Sequence, residues 1–148
     1  DNEVIGAQIA ADTLPDFGYT PKQIAAVQNI IMATKIPHNP DGLLQEIIAD
    51  ADMDALGRVD FMLSAEQLRM EELEWRNRTY TDEEWYLFEM RFLSSHRYFT
   101  RAQRRFRNRG KVQNYLHLAK LLVKVRHKTS SRGSRAFDED DTQPFQAG

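Results

Sequence analysis

The segment Ile47-Ile48-Ala49-Asp50-Ala51-Asp52-Met53-Asp54-Ala55-Leu56-Gly57 sets aliphatic and alanine residues at helical intervals and interrupts them with three aspartates. Residues three and four apart share a helical face, so the pattern predicts a helix that opens near Asp41 and carries the segment to Gly57. At about 100° per residue, Leu44, Ile47, Ile48, Ala51 and Ala55 form one apolar stripe with Asp52 inside it. Asp50 then points nearly the opposite way, toward solvent, and Asp54 sits at the edge of the stripe. An ionised carboxylate on a core-facing stripe is costly unless it is paired, hydrogen-bonded, protonated or bound to a metal. Asp52 therefore requires a partner, either a hydrogen bond or cation such as Lys35 or Arg69, or a metal ion. The spacing lacks the central glycine and terminal glutamate of a calcium-binding EF-hand loop.

Helical signals recur on both sides of this segment. A first helix is expected over Glu3–Thr13, presenting Val4, Ile5, Ile9 and Ala10 and stopping ahead of Pro15, whose ring disfavours helical geometry in the residue before it. Thr20, Pro21 and Gln23 supply an N-cap, a proline at the first helical position and a capping-box partner for a helix with Ile24, Val27, Ile30 and Ile31 inward. Pro37 and Pro40 hold the following loop extended. A helix from Val59 to about Asn77 comes next. Thr81 and Glu84 repeat the capping box ahead of Trp85, Phe88, Phe92 and His96 at near-helical spacing, and His96 in that aromatic face is expected to be a hydrogen-bonded packing residue. Thr100 and Gln103 repeat the signature again and open a long helix with Val112, Tyr115, Leu116, Ala119, Leu122 and Val123 on one face. No segment alternates with period two, so the expected fold is all-α, a helical bundle of about six helices over residues 1–128. Residues 129–148, with Ser130-Ser131 and Asp138-Glu139-Asp140-Asp141, are too polar to bury a core and are expected to be a flexible tail.

The chain has 148 residues, 41% of them hydrophobic, which suits one compact core. A net charge of −2 gives no global pull toward polyanions, and the absence of cysteine excludes disulfides, thiol nucleophiles and cysteine zinc sites. A metal here must be held by oxygen and imidazole. No apolar run is long enough to cross a bilayer and no basic-then-apolar leader is present, so no membrane partner and a cytoplasmic location are expected. The cations are concentrated in Arg97, Arg101, Arg104, Arg105, Arg107, Arg109 and Lys111, followed by Lys120, Lys124, Arg126 and Lys128. They could neutralise the phosphates of a nucleic acid, although cations that point in several directions around a helix are more often a solvated face. The second functional reading is accordingly a non-catalytic helical module that uses the Arg97–Lys128 surface for nucleic acid or a protein partner.

Three stretches taken together resemble a known family: Leu14-Pro15-Asp16-Phe17-Gly18-Tyr19-Thr20, Ile31-Met32-Ala33-Thr34-Lys35-Ile36-Pro37 and Asp50-Ala51-Asp52-Met53-Asp54-Ala55-Leu56-Gly57-Arg58. With Ser94-Ser95-His96-Arg97-Tyr98-Phe99-Thr100, they are similar to the C-terminal half of the HD-domain metal-dependent phosphohydrolases over about Asn2 to Leu122. The resemblance implies a helical domain that binds a divalent metal (manganese, magnesium, iron, cobalt or nickel) and hydrolyses phosphoester bonds of a phosphorylated small molecule or nucleotide. In that family the metal is held by a histidine, an adjacent His-Asp pair and a later aspartate, and the last of these falls on Asp52. None of His38, His96, His117 and His127 is followed by aspartate. The chain is therefore expected to begin inside a longer domain, with an incomplete metal site and little hydrolytic activity of its own. Lys35, His38 and Arg58 are the expected contacts to substrate phosphate, and Glu3 is a weaker candidate for a catalytic group near the metal.

Overall fold

The computed structural model describes the backbone of residues 2–138 and the side chains of residues 2–130. Within these the chain is all-α, as predicted: α1 (Asn2–Thr13), α2 (Pro21–Met32), α3 (Leu43–Asp52), α4 (Phe61–Arg76), α5 (Asp82–Ser95) and α6 (Arg101–Asp138), with short 3-10 turns at Leu14–Phe17 and Asp54–Gly57. No helix among the described residues is long and apolar enough to cross a membrane.

The local signals place the helix starts. Thr20 and Thr81 each accept from the backbone N–H three residues on, while the Gln23 and Glu84 side chains reach back to the cap backbone, completing both capping boxes. The turn after α1 closes on Gly18 at φ 77, a left-handed position that glycine adopts without steric cost. Two boundaries differ from expectation. α3 ends at Asp52, and Asp54–Gly57 tighten into a 3-10 turn instead of continuing the α-helix. α6 continues through Thr129 to Asp138, where the tail was expected to begin after Lys128; the rest of that expected tail, residues 139–148, lies outside the described residues.

The chain divides into two compact units where the composition suggested one. The first comprises Asp1–Val59 with Arg97–Lys111. Its buried apolar residues are small or few: Ala7, Ala33, Ala49, Leu56 and Tyr98. α1 packs on α2 through Gly6 and Ala7, with Gln28 Nε2 donating to the Ala7 carbonyl at 3.1 Å, so Val4, Ile5 and Ile9 remain exposed. The 3-10 turn and α6 meet backbone to backbone at Gly57 and Gly110. A Cβ on Gly57 would lie 2.5 Å from the Arg107 carbonyl oxygen, and one on Gly110 would collide with the Gly57 carbonyl. Two glycines are therefore required where these segments cross.

The second unit comprises Asp60–His96 with the chain from Val112 onward. Phe61, Ala65, Trp85, Leu93, Leu118 and Leu122 form its core, and Trp85 stacks on Phe88 with centroids 5.3 Å apart. Leu118 and Leu122 turn inward, while Val112, Leu116 and Val123, expected on the same inner face, are exposed. The nearly buried Glu72 accepts from Arg76 at 2.6 Å, and Arg69 bridges α4 to the start of α5 through the Tyr80 carbonyl (2.6 Å) and Asp82 (3.0 Å). Arg69 is thus committed within this unit.

Candidate functional site

The three aspartates of the acidic segment have three different environments. Asp50 is 3% exposed. Its Oδ1 accepts from the Phe99 backbone N–H at 2.7 Å, and its Oδ2 accepts from the Thr100 backbone N–H at 2.8 Å and the Thr100 hydroxyl at 2.6 Å. These donors stand just ahead of α6, whose first N–H groups have no intrahelical acceptor and whose N-terminus carries partial positive charge. Thr100 Oγ1 accepts from the Gln103 N–H at 3.1 Å, as a cap should. The Gln103 side chain, however, does not close a capping box; its Nε2 donates to the Asp50 carbonyl at 3.3 Å and to Asp54 Oδ1 at 2.7 Å. A carboxylate from α3 fills the place that a capping-box glutamine would otherwise take.

Asp54 is held by Arg107 in a fork, Nε to Oδ1 at 2.6 Å and Nη2 to Oδ2 at 3.0 Å. That hydrogen-bonded guanidinium, helped by the Gln103 amide and the nearby charge of Arg58, holds the Asp54 carboxyl below its ordinary range, outweighing the opposing effect of burial. The wholly buried Tyr98 donates its hydroxyl to the Met53 carbonyl at 3.1 Å. Burial, with Asp54 and Asp50 nearby, pushes that phenol up to about 12, so it remains a donor at any physiological pH.

Asp52 is the exposed member, its side chain 40% accessible, with Oδ2 3.4 Å from Nε2 of His38. The expected facing of the segment is therefore reversed: Asp50 is buried and Asp52 faces out. Leu44 and Ile47 of the predicted inner stripe are 65% and 49% exposed. The buried face of α3 instead runs through Ala49 and Asp50, because the donors ahead of α6 hold the carboxylate inward.

Of the expected site residues, His38 lies beside Asp52. Its side chain is only 7% exposed, its ring meets Phe99 edge-on at 6.4 Å, and Nε2 also lies 3.2 Å from the Thr34 carbonyl. Both neighbours of Nε2 are acceptors, so that nitrogen carries a proton, and the ring orients Asp52 instead of reaching outward to a phosphate. Lys35 is exposed on the turn after α2, Arg58 is exposed beyond the 3-10 turn, and Glu3 is half-buried in the first turn of α1. An open groove of 470 Å³ borders the segment, lined by Ile47, Asp50, Ala51, Asp54, Thr100, Ala102 and Gln103.

No protein-family model, curated protein or solved structure matches the chain. Among the described residues no three histidine, aspartate or glutamate side chains gather as a metal site would require. Asp52 and His38 alone do not constitute a divalent-metal site, since one carboxylate and one protonated ring nitrogen leave most of the coordination sphere unfilled. The contributions of Asp50, Arg107 and Gly110 escape a reading of helical periodicity. One signal for Asp50 was present: the donors at Phe99-Thr100 open a long helix and need an acceptor, and a carboxylate is the strongest one.

Proposed function

We propose that the chain belongs to an HD-type metal-dependent phosphohydrolase, to which it contributes Asp52 as one ligand of a divalent metal, with the histidine and His-Asp ligands coming from outside these 148 residues. The observation that supports this reading is the unequal treatment of the three aspartates. Asp50 and Asp54 have their carboxylate oxygens engaged by donors of the same unit, whereas Asp52, the position the family resemblance selects, presents an accessible carboxylate steadied by His38. A bound divalent ion would polarise a phosphoryl oxygen and lower the pKa of an attacking water. The residues of this chain would hold and orient that ion: Asp52 as ligand, His38 fixing the carboxylate through Nε2, and Asp50, Asp54 and Tyr98 keeping α3 in place against the start of α6. Lys35 and Arg58, both exposed cations on segments flanking α3, suit a phosphorylated small molecule or nucleotide.

The test is manganese-stimulated hydrolysis of a phosphomonoester by the protein expressed from its own gene. Hydrolysis should be present, and it should disappear in Asp52→Ala while the melting temperature holds. Absence of any metal-stimulated hydrolysis in the wild type overturns the reading.

A further inference from the structure

We propose that Arg101, Arg105 and Arg109 on α6, with Phe106 beside them, form a binding surface for the backbone of a single-stranded nucleic acid. The inference concerns only the part of α6 in the first unit and is independent of the metal reading. That part carries Arg101, Arg104, Arg105, Arg107, Arg109 and Lys111, with Arg97 ahead of it, and neither aspartate nor glutamate occurs from Arg97 to Lys128. The structure sorts these cations. Arg104 donates to the Tyr98 and Phe99 carbonyls, Arg107 is forked onto Asp54, and Lys111 lies over the Tyr98 ring at 5.4 Å. All three serve the fold. Arg101, Arg105 and Arg109 are exposed.

Their positions are ordered. Gln103, Arg107, Gly110 and Lys111 are the less exposed positions of this stretch and define its inner side. At about 100° per residue, the row Arg101, Arg105, Arg109 lies on the opposite side. Successive members are four residues apart, about 6 Å along the axis, so three guanidinium groups stand in line along one edge of the helix. A guanidinium presents a planar fork of donors suited to phosphate oxygens. Phe106, 72% exposed, lies one turn before Arg109 and flanks the row. An exposed aromatic alongside a line of cations is the combination with which proteins hold single strands: the cations follow the phosphates and the ring stacks on a base. A duplex would keep its base faces from Phe106. A bilayer surface would call for a continuous apolar face, whereas this one is chiefly guanidinium.

Binding of a fluorescein-labelled oligothymidylate, followed by anisotropy at low ionic strength, tests the proposal. The wild type should bind, and log K should fall with log salt at a slope of about −2, as expected for three phosphate contacts on a single strand. The triple variant R101A/R105A/R109A should lose roughly tenfold or more in affinity with most of that slope, and Phe106→Ala should lose about tenfold through stacking. All four positions are exposed, and circular dichroism of each variant checks that helicity is kept. K120A/K124A/K128A removes the same charge from another stretch of α6 and should bind within about twofold of wild type. No binding at low salt, equal loss in the two triple variants, tighter binding of a duplex than of the single strand, or capture by anionic vesicles in place of the strand would each overturn the proposal.

Discussion

Asp50 holds two backbone N–H groups and a hydroxyl within 2.6–2.8 Å, while Asp52, one residue on from Ala51, faces solvent. Removing the first carboxylate leaves the Phe99 and Thr100 N–H groups and the Thr100 hydroxyl without their acceptor just ahead of α6. Asp50→Ala should therefore lower the unfolding free energy by about 3 kcal/mol. Asp52→Ala removes one long contact from an exposed side chain and should change stability by no more than about 0.5 kcal/mol. Urea denaturation of the two variants measures both. Comparable losses, or a larger one for Asp52→Ala, would contradict the assignment of Asp50 as the structural member. His38 stands between the two roles: its ring is buried like a packing residue, yet its Nε2 steadies the exposed carboxylate of the acidic segment.

At the scale of elements, α3 separates what its sequence declares from what its surroundings impose. The capping boxes at Thr20 and Thr81 were legible because donor and acceptor are three residues apart, and the same holds for the turn ahead of α2 and the helical class of the whole chain. The facing of α3 was not legible. It is set by donors 49 and 50 residues away, at Phe99 and Thr100, whose attraction for Asp50 outweighs the burial of Leu44 and Ile47. The end of the helix at Asp52 compounds this, since the register of 100° per residue does not extend past Met53. Gly57 was legible only as a helix end; its approach to Gly110 depends on where a later helix crosses. With the facing reversed, Leu44→Gln and Ile47→Gln should each change the unfolding free energy of the intact chain, read by urea denaturation, by no more than about 0.5 kcal/mol. A loss of 2 kcal/mol or more, typical of truncating a buried leucine or isoleucine, would return the apolar stripe to the core.

Both units of the molecule carry buried carboxylates, and Asp50 of the first contrasts with Glu89 of the second. Asp50 is satisfied by donors, but in the second unit Glu89 is 2% exposed and its Oε1 has no hydrogen-bond partner among the described residues. Burial pushes this carboxyl up to about 7 from an ordinary 4.5. The folded chain then keeps a proton that the unfolded chain has already released, so stability declines as pH rises from about 4.5 to about 7 and the penalty is complete above that window. Glu89→Gln keeps the shape and cannot ionise. It should flatten this decline and stabilise the protein at pH 8 by about 3 kcal/mol, checked by denaturant titration at pH 5 and pH 8. The proposed chemistry of the molecule rests on the other unit, with Asp52 as the proposed metal ligand. The most direct test is manganese-stimulated phosphomonoester hydrolysis by the protein expressed from its own gene, measured with its melting temperature for the wild type and for Asp52→Ala. The account predicts activity in the wild type, its loss by about 100-fold or more in Asp52→Ala and an unchanged melting temperature; hydrolysis that persists without the Asp52 carboxylate would contradict it.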